Sequence, residues 1–181
     1  MNPKARSPVW GEPLLHPVCL LSMAVWWLND HLGKVYAPSA LTGKASDVAG
    51  LIVFPLWVWC LLDRVAASAV PRVYSTNRFR LATLYVVTTA VCVWFALMNV
   101  SESVGATHRD LWTWIYGNLH AVLARVGGYW PTRAHHTVDA RDLWTLPAAL
   151  VAVWIGRRSI VAGTTTAHSV GFEPGTGFER S

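Results

Sequence analysis

LATLYVVTTAVCVWFALMNV, the stretch from Leu81 to Val100, decides the fold: its twenty residues include no Asp, Glu, Lys, Arg or His. At a helical rise of about 1.5 Å per residue it reaches about 30 Å, the thickness of a bilayer's hydrocarbon core. A surface helix of a soluble protein keeps one polar face. Here the polar groups are hydroxyls, the Cys92 thiol and the terminal Asn99. The stretch reads as a transmembrane helix.

Working outward, shorter apolar runs flank it, and the chain reads as all-α: a four-helix transmembrane bundle with spans at about 14–29, 46–62, 80–100 and 142–156. Lys4 and Arg6 precede the first run as in a signal peptide, but no small-residue cleavage pattern follows, so that span is expected to be retained. Pro17 suits a first helical turn. Ser46 and Asp47 are expected to cap the second span, and Pro55 to kink it and free a carbonyl. The fourth span has Asp142 at its start and Pro147 in its first turns. All but the Leu81–Val100 span are short for a full crossing, so helix ends are expected to extend into flanking polar residues.

Between the third and fourth spans, Leu111, Trp112, Ile115, Leu119, Val122, Leu123 and Val126 recur at spacings of three and four. That marks an amphipathic helix over about 109–126, with Asp110 in its first turn and Gly127-Gly128 ending it, lying in the membrane interface. Residues 1–162 read as one transmembrane domain, and the Gly-, Thr- and Ser-rich 163–181 as a disordered tail.

Eleven tryptophans, many near the ends of apolar runs (Trp26, Trp27, Trp57, Trp59, Trp144, Trp154), suit the bilayer–water boundary. The pI near 9.4 comes from bases scattered through loops rather than a basic stripe, which fits lipid headgroups and not nucleic acid. Lys4, Arg6, Arg64, Arg72, Arg78, Arg80, Arg157 and Arg158 fall on one side of four crossings. The positive-inside rule makes that side, with both termini, cytoplasmic in a multi-pass cell-membrane protein. Cys19, Cys60 and Cys92 each sit inside an apolar run and read as packing residues.

Chemistry-bearing residues crowd the opposite ends of the spans: Asn29, Asp30, His31, Lys34, Lys44, Ser46, Asp47, Asn99, Glu102, Asp139 and Asp142. A weak internal echo pairs Leu28-Asn29 with Met98-Asn99, and Asp47 and Pro55 with Asp142 and Pro147, as two helical hairpins would. Gly43 and Gly50 would permit tight turns or close helix approach. Thr42-Gly43-Lys44 lacks the first glycine and strand of a phosphate loop, and Ser46 lacks a strained nucleophile turn. His31, Asp47, His108, His135 and His136 supply donors that suit zinc or manganese, without a metal-binding signature. The plainer reading has the acids capping helices and pairing with Lys34, Lys44, Arg133 and Arg141.

The pattern Leu28-Asn29-Asp30-His31, Lys34, then Leu41-Thr42-Gly43-Lys44-Ala45-Ser46-Asp47-Val48-Ala49-Gly50-Leu51 resembles that of small bacterial multispan membrane proteins of unassigned function. Arg141-Asp142-Leu143-Trp144-Thr145-Leu146-Pro147 is similar to their last span. The resemblance covers about a fifth of the chain and implies a membrane protein without implying an activity. A looser likeness is to VanZ-like membrane proteins, whose Asp-Lys-x-x-His order is absent here.

The expected function is a non-enzymatic accessory or assembly component in the lipid bilayer, partnered by another membrane protein or its own copies. Two alternatives stand beside it. One is a small ion or proton transporter or channel with Asp47 and Asp142 on the path. The other is a membrane-surface enzyme acting on a lipid-linked or headgroup substrate. No cofactor is expected; a divalent metal is the alternative.

Overall fold

The computed structural model describes residues 11–37, 39–70, 76–123 and 137–168. These form an all-helical protein. A 3-10 turn at Glu12–Leu15 leads into α1, Pro17–Leu28, which continues through a π turn at Asn29–Gly33 and one α-helical turn at Lys34–Tyr36. Then come α2 (Ala40–Ala69), α3 (Asn77–Val100) and α4 (Glu102–Leu123). The last element is a 3-10 stretch at Ala140–Ala148 that passes into α5, Ala149–His168.

Among the described residues three helical segments are long and apolar enough to cross a membrane: Ala40–Ala69, Asn77–Val100 and Ala140–Ala162. Their outward faces are as apolar as their inward ones. On α3, Leu84 is fully buried while Val86 is 67% exposed, and Leu150 at the head of α5 is 69% exposed. A helix apolar all round is stable only where its surroundings are apolar too.

The helix starts differ from those read in the sequence. α2 begins not at Ser46-Asp47 but at Ser39, whose side chain accepts from the Thr42 N–H while Thr42 answers with the Ser39 N–H. That reciprocal box satisfies two free donors and outcompetes the later pair. Pro17 sits at the start of α1 as expected, with the His16 ring accepting from the Val18 N–H. α2 runs through the buried Pro55 as one helix. α4 starts at Glu102, so Asp110 lies mid-helix and Glu102 is the acid of its first turn. Gly43 and Gly50 stand within α2 with nothing within 4 Å of an added Cβ, so neither marks a turn or a close approach. α5 extends to His168, into the stretch read as tail. Lys4, Arg6, Arg72, Arg125 to Gly128, Arg133, His135, His136 and 169–181 lie outside the described residues.

α2 is the hub. It contacts α1, α3, α5 and the 3-10 stretch, and contributes Ile52, Val53, Leu56, Trp59 and Cys60 to the core. Cys19 of α1, Leu84 and Val87 of α3, and Ala152, Ile155 and Ile160 of α5 complete it. α3 and α5 approach closely at Gly156. A Cβ on Gly156 would lie 2.7 Å from a Leu84 methyl, so glycine sets the approach there. Cys19 and Cys60 are buried and Cys92 half-buried, in keeping with packing roles.

α1, α2 and α3 alternate in direction and α5 runs with α2, which gathers two ends. At one end Arg80 donates to Asp63 through Nε (2.9 Å) and Nη2 (3.3 Å), and its guanidinium lies 5.8 Å from the Trp59 ring. The Trp154 ring meets His16 edge-on at 5.3 Å and carries Arg158 at 4.4 Å. The other end holds the polar residues described next. α4 turns back sharply from Ser101: His108, seven residues after it, accepts from the indole N–H of Trp94, seven residues before it, at 3.3 Å.

Candidate functional site

At the polar end the helical winding of α1 widens. The Lys34 N–H donates to the Asn29 carbonyl five residues back, which defines the single π turn at Asn29–Gly33. Such turns recur at functional or strained positions because they redirect side chains within a helix. Gly33 is part of the arrangement. A Cβ there would lie 2.5 Å from Asn29 Oδ1, well inside contact distance, so the glycine leaves room for the Asn29 amide.

That amide joins two helices. Asn29 Nδ2 donates to the Thr42 carbonyl at 2.5 Å and to Ser46 Oγ at 2.6 Å. Ser46, 7% exposed on α2, passes its own proton on to Asp30 Oδ1 at 2.6 Å. Asp30 Oδ1 is also paired with Lys34 Nζ at 2.7 Å, one helical turn on. The result is a continuous chain from a backbone carbonyl through an amide and a hydroxyl to a charged pair. Its O–H···O⁻ link is of the short, charge-assisted kind.

A second tie holds the opposite flank of α2. Lys44 Nζ pairs with Asp142 Oδ1 of the 3-10 stretch, with the two side chains 30% and 21% exposed. Asp139 caps that stretch by accepting from the Arg141 N–H at 2.9 Å, and Arg141 Nε adds bonds at 3.0 and 3.2 Å. Those hydrogen bonds hold the Asp139 carboxyl below its usual range. Pro147 helps explain the 3-10 winding. In α geometry its ring would press on the Leu143 carbonyl, whereas tighter turns avoid that contact.

The other residues singled out in the sequence take separate places. Asp47 is half-buried and has an interaction partner. Asn99 is 1% exposed and donates to the Phe95 carbonyl of its own helix, while its Oδ1 has no partner among the described residues. Glu102 is exposed. His31 lies against Trp27 at 4.9 Å, and His108 contacts the Trp94 and Trp112 rings. Among the described residues no three His, Cys, Asp or Glu side chains gather as a metal site.

Beside the chain lies an open cavity of 510 Å³ that the sequence did not signal. Trp26, Trp27, Trp57 and Trp112 wall it, Met23, Val53 and Phe54 line it further, and Asp30 and His31 stand at one end. Trp112 closes it from α4, a juxtaposition that no local spacing reveals. Sequence reading also passed over Gly33 and the Asp63–Arg80 pair. A glycine four residues after Asn29 was the available signal for the first. For the second it was the one acid near the far end of a span that is followed by arginines.

Comparison with protein-family models, with curated proteins and with solved structures finds no match.

Proposed function

We propose that this is a four-crossing integral membrane protein of the cell membrane, acting as a non-enzymatic accessory or assembly component, whose polar end is a structural clasp. The observation that carries this reading is mutual satisfaction. Asn29, Asp30, Lys34, Ser46, Lys44 and Asp142 are bonded to one another across the helices. General acid–base chemistry needs a group within reach of substrate, and ion passage needs polar groups along a path. The clasp residues spend their bonds as ties between α1, α2 and the 3-10 stretch.

The fourth crossing is the helical stretch from Glu12 to Leu28, short for a full crossing, with Asn29–Tyr36 continuing it into the polar boundary. Arg64, Arg78, Arg80, Arg157 and Arg158 belong to the end opposite the clasp, and by the positive-inside rule they support a cytoplasmic side for that end and for both termini. α4, with Arg109 and Asp110 exposed, folds back from the outer end along α3 and is not counted as a crossing. Partners are lipid and another membrane protein or a second copy; nucleic acid is not one.

Asn29→Ala and Asp142→Ala test the role. Both are expected to lower the amount of protein recovered in membranes, with function per molecule retained. An Asp142→Asn protein present at wild-type level, but unable to complement a deletion strain, would sink the structural reading. Single cysteines at 30 and 158 in a chain lacking Cys19, Cys60 and Cys92 test the topology. An impermeant thiol reagent should reach position 30 in intact cells and position 158 only after lysis.

A further inference from the structure

The tryptophan-walled cavity has the form of a site for an amphiphile. Its volume of 510 Å³ falls in the range of small-molecule sites, about 300–1,000 Å³. Asp30 and His31 mark one end. Met23, seven residues before Asp30, lies about 10 Å further along α1. Trp57 lies about 16 Å along α2 from Ser46, the clasp residue eleven positions earlier. The cavity therefore has a charged head and an apolar body. Val53, 6% exposed, backs it, while Trp27 and Trp57 are 61% and 47% exposed and leave it open to the side.

The chemistry of the head selects a cation. Indole faces attract cations through the ring quadrupole, and Asp30 adds a formal negative charge with its side chain 38% exposed. The bonds from Ser46 and Lys34 both fall on Oδ1 of Asp30. Lys34, on the same carboxylate, is 46% exposed and offers a positive charge beside the negative one. A zwitterion laid against this pair with opposite polarity gains charge-assisted contacts at both ends and leaves no net charge unpaired. An anionic headgroup can answer Lys34 with its phosphate but brings no ammonium to Asp30 and the indole faces.

We propose that this cavity binds one zwitterionic phospholipid, its ammonium between Asp30 and the indoles, its phosphate toward His31 and Lys34, and an acyl chain along Trp57. The inference rests on the membrane placement above and is independent of the accessory role.

The test is native mass spectrometry of the full chain in a non-ionic detergent, titrated with phosphatidylethanolamine or with phosphatidylglycerol of the same acyl chains. One bound phosphatidylethanolamine is expected, held about tenfold more tightly than phosphatidylglycerol. Asp30→Asn should remove the preference, but it also loosens the clasp. Trp57→Ala and Trp27→Ala lie outside the clasp, and each should weaken phosphatidylethanolamine binding about tenfold with the thermal midpoint unchanged. Equal binding of the two lipids, a statistical ladder of adducts, or binding indifferent to both tryptophan variants overturns the proposal. Recovery of the chain from the soluble fraction would instead remove the membrane placement itself.

Discussion

Gly33→Ala and Gly43→Ala are the same chemical change in helical backbone only ten positions apart, yet the structure assigns them opposite signs. At residue 43 an added methyl meets nothing within 4 Å. The substitution should stabilise by about 0.5–1 kcal/mol, because alanine loses less backbone entropy on folding. At residue 33 the methyl would lie 2.5 Å from Asn29 Oδ1, so the amide must leave. Its bonds to the Thr42 carbonyl and Ser46 Oγ go with it. Two net hydrogen bonds of about 0.5–1.5 kcal/mol each are lost, and the propensity gain offsets part of this. The expected net loss is about 0.5–2 kcal/mol, and the two variants should differ by about 1–3 kcal/mol. Thermal unfolding in detergent, followed by tryptophan fluorescence, resolves this at about 2–4 °C per kcal/mol for a chain of this size. On an Asn29→Ala background the penalty at residue 33 should disappear, because the group that clashes has gone. Equal midpoints for the two glycine variants, or a Gly33 penalty that persists without Asn29, would refute the account of the π turn.

Lys44→Ala should cost about 1 kcal/mol, the upper part of the range for a partly exposed pair. Exchanging the partners (Lys44→Asp with Asp142→Lys) should recover most of it, as read by thermal midpoints in low salt. Gly156→Ala forces a methyl against the fully buried Leu84 and should destabilise by about 1–3 kcal/mol; Leu84→Ala in the same chain should relieve the clash, and purely additive midpoints would count against it. Asp139, whose pKa is lowered by Arg141, stabilises the folded state above its unfolded pKa of about 3.9. That contribution is lost as pH falls through the lower folded value. Asp139→Asn should therefore flatten the acid limb of a stability–pH curve, and an unchanged limb would exclude Asp139 as its source.

Three long apolar helices were legible because a run such as Leu81–Val100 carries its fold in composition alone. The pairing of clasp acids with nearby bases was legible for a related reason: Asp30 and Lys34 are one helical turn apart, and a charge near a membrane edge needs a partner. The start of α2 was not. Ser39 and Thr42 make a box without the usual Glu or Gln, whereas Ser46-Asp47 looks the better cap until its serine is needed by α1. The π turn depends on bonds to Thr42 and Ser46, thirteen and seventeen residues from Asn29, so local pattern does not encode it. Trp112 belongs to an amphipathic face by spacing, and only the reversal at Ser101 brings it to Trp26 and Trp57.

The 3-10 stretch at Ala140–Ala148 also changes what counting residues means in this chain. A 3-10 helix rises about 2.0 Å per residue against about 1.5 Å for α, so these nine residues cover about 18 Å instead of about 13.5 Å. Ala140–Ala162 thereby gains some 4–5 Å of reach without another amino acid. A segment already long enough to cross becomes a match for a thicker bilayer, with Lys44 fastening its stretched end.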